Sequence, residues 1–447
     1  MFPITKNIVW LICCSGFLVA CSSDDTTIDT PSEDTVLQEQ LETLYGSLSE
    51  LILPESDQYS EIPADPSNLI TAEKVLLGKH LFHETALGVL PKKEVGKATY
   101  SCASCHHSEA GFQAGVIQGI GEGGIGFGLK GETRHNSVEY QTEELDVQPI
   151  RSPSILNVAY QEVMLWNGQF GALGINEGTQ ASWSAGTPKE KNNLGFSGVE
   201  TQAIAAIDVH RLDIPMELIN NTAYKSLFDQ AFPDAPPEER YTKINAGLAI
   251  AAYERTVLPT QAPFQKWLKG ERRTMSEKEL AGASLFYGKA NCYQCHSGPG
   301  MNGMSFHNLG MSDLSGTGVH GEIDEETKMG RGGFSLNPQD NFMFKTPQLY
   351  NLKDVKFLGH GGGFSSVEEV IRYKNKAIAQ NAAAQGGQLS PLFIPLNLTE
   401  EEITQLVAFV ENALYDPNLE RYVPEALPSG HCFPNADTQS KIDLGCE

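Results

Sequence analysis

Apolar residues recur every three or four positions in several segments of this chain, which is the spacing of one helix face. The segment 38–53 carries Leu41, Leu44, Leu48 and Leu51 on such a face. Strand alternation is weak, and glycine-rich segments predict loops. The pattern therefore predicts a mainly α fold with long loops. Further helices are predicted over 71–82, 241–258, 276–286, 365–377 and 399–414, and loops over 119–131 and 359–363.

Two of these helices resemble each other and precede the same short motif. Helices 71–82 and 276–286 both begin with a residue suited to capping a helix N-terminus, contain glycine and end in Leu-Phe. Each leads to a Cys-x-x-Cys-His motif, at 102–106 and at 292–296. We interpret this as an internal repeat of two cytochrome c-like modules.

The Cys-x-x-Cys-His motif is the attachment pattern of c-type haem. Its cysteines lie one helical turn apart, so both thiols reach one porphyrin, and the adjacent histidine ligates the iron. A thioredoxin-like redox pair, which does not need the histidine, and half of a zinc site are the alternatives. Two copies in one chain favour two covalently bound haem c groups. They would be held by Cys102, Cys105 and His106 and by Cys292, Cys295 and His296.

The N-terminus carries an export pattern. The apolar run 8–20 follows Lys6 and is too short to span a membrane, which predicts a signal peptide over 1–20. The run ends in Leu-Val-Ala-Cys21, which resembles a bacterial lipobox and predicts a lipid anchor on Cys21. Cleavage after Ala20 that leaves a free cysteine is the alternative. The acidic segment 21–36 is expected to be a disordered tether.

The remaining cysteines agree with this compartment. Cys432 and Cys446 are left over after haem attachment, and in an oxidising compartment they are expected to form one disulfide. We therefore expect a bacterial cell-envelope protein, lipid-anchored in the periplasm or at the outer-membrane surface.

The net charge of −24 over 447 residues excludes a basic footprint for nucleic acid. Most of this charge is expected to be solvated surface, and a basic redox partner would also suit it.

Several longer motifs between residues 73 and 375 resemble the bacterial di-haem cytochrome c peroxidase family, which includes MauG. They lie at 77–82, 151–160, 165–168, 262–264, 306–310, 330–331, 344–351 and 360–362. The resemblance implies hydrogen peroxide reduction at an N-terminal haem, with electrons relayed through a C-terminal haem from a small cytochrome c or cupredoxin. The corresponding domains would be 37–265 and 266–425, followed by a tail over 426–447.

The resemblance also gives roles to two residues. Trp166 corresponds to a tryptophan between the haems, a conduit for electrons; core packing or a bond to a propionate is the alternative. Arg331 corresponds to an arginine near a propionate of the second haem, with a solvent-exposed arginine as the alternative. His307 and His360 lie in matched motifs and are candidates for the interface between the haems.

The first haem departs from the family pattern on its distal side. The loop 108–131 contains no histidine, which predicts a five-coordinate iron at rest, with His135 as the competing ligand. The family's acid/base glutamate is missing after Gln-Ala. His210 is the favoured replacement because a neutral imidazole titrates in the required range. Asp213 is the second candidate, and a buried structural role for His210 is the alternative.

The second haem departs at its sixth ligand. The family places methionine there, or tyrosine in MauG, where this chain has Tyr373 and Lys374. We rank Tyr373 first, ahead of Met343 or Lys374, with Met329 in the same preceding loop as Met343. The family's calcium site is doubtful, since its asparagine is replaced around 151–152, although backbone carbonyls would still be available.

Three functions are consistent with the sequence. The leading one is the peroxidase described above. A MauG-type oxidase acting on a protein or organic substrate is the second. A non-catalytic electron-transfer lipoprotein with both irons six-coordinate is the third.

Overall fold

The computed structural model describes Met1 and residues 32–446. The expected signal peptide, the Cys21 anchor and most of the tether lie outside the described residues. Within that part of the chain the fold is mainly helical, as expected, and no helix there is long and apolar enough to cross a membrane. The α-helices are α1 Glu33–Tyr45, α2 Ala72–His83, α3 Gly198–Val209, α4 Met216–Asn221, α5 Tyr224–Ala231, α6 Pro237–Arg240, α7 Lys243–Arg255, α8 Pro263–Leu268, α9 Glu277–Tyr287, α10 Glu325–Lys328, α11 Arg331–Ser335, α12 Val367–Lys376, α13 Ala382–Gln385, α14 Glu400–Ala408 and α15 Thr438–Leu444.

Strands are few and short in the described chain. The antiparallel pairs are β1 Gly124–Ile125 with β2 His135–Asn136 and β3 Phe306–His307 with β4 Phe344–Lys345. Each Cys-x-x-Cys-His motif begins in a 3₁₀ turn, Cys102–Ser104 or Cys292–Gln294.

Side-chain caps set the helix starts that the sequence indicated. The Thr71 side chain accepts from the N–H of Lys74, and Ser276 and Glu279 form a capping box at α9. The helix predicted over 38–53 starts earlier, at Glu33, because Ser32 caps it and acidic residues fill its first turn, where the helix dipole favours them. It ends at Tyr45, and Leu48–Leu51 form a separate 3₁₀ turn. Residues 33–36, which were expected to belong to the disordered tether, are therefore helical.

The repeat is visible as two equivalent helix crossings. A Cβ on Gly78 of α2 would lie 1.9 Å from the carbonyl oxygen of Ala249 in α7. A Cβ on Gly282 of α9 would lie 2.0 Å from the carbonyl oxygen of Gln405 in α14. In both modules the helix before the haem motif therefore touches the backbone of a later helix at a glycine. This shared contact supports two cytochrome c-like modules.

The N-terminal helix packs on the second module. Leu37 and Leu41 of α1 are fully buried, and the Gln40 side chain donates to the carbonyl of Ser284 in α9 at 3.1 Å. The indole N–H of Trp267 donates to Asp34 at 2.5 Å. By contact, α1 belongs with the second haem motif, whereas the sequence placed it in the first domain.

The C-terminal tail packs on the first module. The expected disulfide joins Cys432 and Cys446. The hydroxyls of Ser101 and Ser104 donate to the carbonyl of Pro434 at 2.9 and 3.2 Å, beside the first motif. The tail therefore covers the first haem motif. The N-terminal helix α1 packs on the second module, and the C-terminal tail packs on the first.

Candidate active site and haem cavities

The second Cys-x-x-Cys-His motif opens onto a cavity of about 490 Å³. Its free thiols, Cys292 and Cys295, and His296 line this cavity. The Nδ1 of His296 donates to the carbonyls of Pro347 at 3.0 Å and Met301 at 3.2 Å, which leaves Nε2 for a metal. Burial and the nearby charge of Lys374 lower the pKa of His296 to about 4, so the ring is a neutral ligand. The size and the donor set fit a haem c.

The first motif has the same donor set in tighter surroundings. The Nδ1 of His106 lies 3.3 Å from the carbonyl of Phe112, and burial lowers the pKa of His106 to about 4. A Cβ on Gly119 would lie 2.7 Å from the Sγ of Cys105, so only glycine lets the following loop cover the motif. The adjacent cavity is about 60 Å³, and the fit to haem rests here on the free thiols and the imidazole.

Helix α3 brings His210 to the first cavity, which Gln202 and Ala206 of the same helix also line. The Nδ1 of His210 lies 2.9 Å from the Oδ2 of Asp146, a buried carboxylate that lines the cavity too. Burial works against the charged imidazole, but the charge and hydrogen bond of Asp146 outweigh it and raise the pKa of His210. The pKa of Asp146 is lowered in turn, because His210 offsets its burial.

This pairing was missed from the sequence, since Asp146 stands 64 positions from His210 in a segment without regular structure. Close approach of the chain makes it possible. A Cβ on Gly121 would lie 2.3 Å from the Oδ2 of Asp146.

The other predicted acid/base and distal candidates lie elsewhere. Asp213 does not line the first cavity; its Oδ1 accepts from the N–H of Ile214 at 2.8 Å and lies 3.7 Å from the Nζ of Lys243. His135 is exposed on β2, where its ring bonds the carbonyl of Thr133. Of the side chains that line the cavity, His210 is the one histidine besides His106.

A second group at the first cavity was also missed. Glu254 of α7 lines the cavity and is only 3% exposed. Its Oε2 has no hydrogen-bond partner in the described part of the chain. Burial, reinforced by the charge of Glu200, raises the pKa of Glu254 to about 8. At neutral pH the cavity therefore contains a protonated carboxyl.

The segment between the cavities contains Trp166. Pro153, Ser154 and Leu165 line both cavities, and Trp166 lines the second. The indole N–H donates to the carbonyl of Arg151 at 2.8 Å, so it is not free for a propionate. The Trp166 ring stands 6.3 Å from that of His360. The role of Trp166 as an electron conduit between two haems stays a prediction.

Arg331 is buried, which excludes the solvent-exposed alternative, yet it does not line either cavity. Its guanidinium donates to the carbonyl of Ile175 at 2.8 Å and to the side chain of Asn176 at 2.7 Å. Two of its donor nitrogens are thus used within the protein, and a contact with a haem propionate stays a prediction. Arg331 instead holds the loop around 167–176 in place.

One other buried cationic side chain is better placed for a propionate. Lys345 lines the second cavity and donates to the carbonyl of Val163 at 2.7 Å, with no carboxylate partner among the described residues. Arg151 is 2% exposed and its Nε has no partner there, but it lines neither cavity. Burying a cation without an anion is costly, and a haem propionate would supply the anion at Lys345.

The described residues contain no cluster of carboxylates suited to calcium. In the described ranges there is no group of three or more His, Cys, Asp or Glu side chains arranged for a metal. Backbone carbonyls near residue 151 accept from the Arg151 guanidinium, at 2.8 Å for Ala114 and 2.7 Å for Val116.

The candidates for the sixth ligand of the second haem differ in whether they line its cavity. Lys374 lines the cavity, whereas Tyr373, Met343 and Met329 do not. The hydroxyl of Tyr373 donates to the carbonyl of Leu309 at 2.5 Å. His307 and His360, the candidates for the interface between the haems, both line this cavity. Met311, which the sequence did not single out, also lines it.

Comparison with known proteins identifies the family. The family model for di-haem cytochrome c peroxidase matches residues 72–273. The chain is 30% identical over 374 residues to cytochrome-c peroxidase IdrP1 of Denitromonas iodatirespirans, covering 78% of this chain and 84% of that protein. It is 26% identical to methylamine utilization protein MauG of Methylorubrum extorquens, covering 93% and 97%.

A solved structure shows the same fold. It is a MauG-like protein associated with microbial copper homeostasis, with a TM-score of 0.56 and 23% identity, covering 82% of this chain and 95% of that one. The family model is described as a di-haem cytochrome c peroxidase, and the IdrP1 relative is named as a cytochrome-c peroxidase. The chain is accordingly a member of the bacterial di-haem cytochrome c peroxidase/MauG family and an oxidoreductase.

Proposed function

We propose that this protein reduces hydrogen peroxide to water at the first haem, covalently attached through Cys102 and Cys105, with electrons delivered through the second. The observation that carries this proposal is the His210–Asp146 pair beside the His106 motif. A haem held by Cys102, Cys105 and His106 would supply the redox chemistry. The chain itself supplies the proton transfer.

His210 moves the proton in this scheme. Its Nδ1 is held by Asp146, so Nε2 is the atom that accepts a proton from the inner oxygen of peroxide and returns it to the outer oxygen. Asp146 fixes the tautomer and the orientation of the ring and stabilises the imidazolium that forms. Overall, one peroxide, two electrons and two protons give two water molecules.

Electron delivery follows the segment between the cavities. Trp166 lines the second cavity, and Pro153, Ser154 and Leu165 line both cavities. Together they form a protein path from the second haem motif toward the first. A small cytochrome c or cupredoxin is the proposed donor, and a basic one would complement the net charge of −24. We place the protein in the cell envelope, lipid-anchored through Cys21, on the basis of its N-terminal sequence.

The test is steady-state turnover of the holoprotein with hydrogen peroxide and a reduced small cytochrome c. We expect His210→Ala to lower turnover roughly 100-fold or more, the usual contribution of a positioned acid/base. His135→Ala, which removes an exposed histidine, is the matched control and should keep full activity. Turnover in His210→Ala equal to that of the wild type would remove His210 as the acid/base.

A MauG-type oxidase is the second candidate, because the MauG relative is matched over 97% of its length. Such an enzyme would retain both oxidising equivalents from peroxide until a protein or organic substrate arrives. Adding peroxide without a donor, and titrating the protein with reductant minutes later, separates the two. Recovery of two equivalents would favour the oxidase, and rapid loss of them would favour the peroxidase.

A further inference from the structure

Helix α12 turns one stripe of side chains toward the cavity of the second haem motif. Val367, Val370, Ile371 and Lys374 all line that cavity, and their spacing of three and four residues puts them on one helix face. Lys374 is the only one of the four with a donor atom. The neighbouring Tyr373 points off this face.

The Lys374 amine has no partner of its own in the described structure. It forms neither a hydrogen bond nor an ion pair there, and its Nζ stands 5.8 Å from the ring centroid of Phe393. Arg372, two residues earlier on α12, pairs with Glu368 and Glu400 at the surface. An unpaired amine in an apolar cavity is costly unless something in the cavity binds it.

The residues around Lys374 are those that hold a haem. Lys374 lines the same cavity as Cys292, Cys295 and His296. We propose that the Lys374 amine is the sixth ligand of the second haem iron, opposite His296. This deepens the proposed function by naming the second axial ligand of the relay haem.

Two of the competing donors, Tyr373 and His307, form hydrogen bonds within the protein. The Tyr373 hydroxyl donates to the carbonyl of Leu309. The ring nitrogens of His307 are bonded to the hydroxyls of Ser390 at 3.0 Å and Ser305 at 2.9 Å.

His360 is stacked face to face on Phe344, with ring centroids 3.6 Å apart. Its Nε2 is buried without a hydrogen-bond partner among the described residues, 3.6 Å from Asp313. His360 therefore remains a competitor, together with Met311, the one methionine that lines the cavity. A methionine ligand would raise the potential of the relay haem, whereas an amine has no such effect. The ligand identity therefore decides how strongly the second haem holds an electron.

The experiment is electron paramagnetic resonance with near-infrared magnetic circular dichroism on the ferric holoprotein, without peroxide. We expect a low-spin haem with histidine–amine character and no charge-transfer band of a methionine sulfur. Lys374→Met should gain that band and raise the midpoint potential. Lys374→Ala should convert the second haem from low spin to high spin. Lys376→Met, at an exposed position on the same helix, is the matched control and should leave the spectrum unchanged.

Two outcomes would overturn the assignment. One is a methionine band in the wild type that Met311→Leu removes. The other is loss of the low-spin signal in Tyr373→Phe while Lys374→Ala retains it. Because these spectra need no turnover, a protein with the amine ligand and no peroxidase activity would contradict the proposed function and leave the ligand assignment standing.

Discussion

Replacing Glu254 with glutamine gives the sharpest test of the first cavity. The pKa of this carboxyl rises from 4.5 to about 8 in the folded protein, chiefly because of burial. In the unfolded chain the carboxyl ionises near pH 4.5, while in the folded protein it stays protonated until pH 8. Between those values the unfolded state is progressively favoured, and stability falls as pH rises.

The magnitude follows from the two pKa values. One pKa unit corresponds to about 1.4 kcal/mol, so the full shift costs about 5 kcal/mol of unfolding free energy by pH 8 and about 3 kcal/mol at pH 7. Glu254→Gln removes the ionisation and keeps the shape. We therefore expect the difference in unfolding free energy between the variant and the wild type to grow as pH rises from 4.5 to 8. Above pH 8 this difference should stay constant.

The assay is chemical denaturation of the holoprotein and the variant at pH 5, 6, 7 and 8. Glu217→Gln removes an exposed carboxyl from α4 and controls for the substitution itself. If the stability difference between Glu254→Gln and wild type is the same at every pH, Glu254 is not a protonated carboxyl in a dry cavity.

Three further predictions concern the proton relay, a helix crossing and the tail. Asp146→Asn removes the charge that raises the pKa of His210, so the acid limb of the kcat/KM profile should move to lower pH; an unmoved limb would contradict the pairing. Gly78→Ala places a Cβ against the backbone of Ala249 and should lower the free energy of unfolding by about 1–3 kcal/mol, measured by thermal denaturation. An unchanged Tm would show that α2 and α7 can move apart at this crossing without cost. The double variant Cys432→Ser/Cys446→Ser should lose about 3 kcal/mol, the value for a loop of this length, and equal stability would mean that the tail packs without its disulfide.

Local features of this structure were predictable because they depend on neighbours in the sequence. The capping residues Thr71 and Ser276 set the starts of their helices, and the spare cysteines Cys432 and Cys446 pair as expected. The repeat was visible because each module has the same kind of helix before the same motif.

Features that depend on distant packing were not predictable. Asp146 reaches His210 only because Gly121 permits a close approach of two irregular segments. The exchange of chain ends places α1 on the second module, and nothing in its own apolar spacing identifies that partner. Amphipathic spacing shows that a helix has a buried face but not what the face meets.

The sequence also ranked Tyr373 ahead of Lys374 as the sixth ligand of the second haem, although Lys374 is the one of the two that lines the cavity. Tyr373 and Lys374 are adjacent, so a helix directs their side chains about 100° apart, and the rotation of α12 decides which one enters the cavity. That rotation is set by packing against α14 and the cavity wall, which sequence spacing alone did not resolve.

The spin states of the two haems test the central claim most directly. Electron paramagnetic resonance of the ferric holoprotein as isolated should show one high-spin haem, at the His106 motif, and one low-spin haem, at the His296 motif. Two low-spin haems would contradict an open peroxide site.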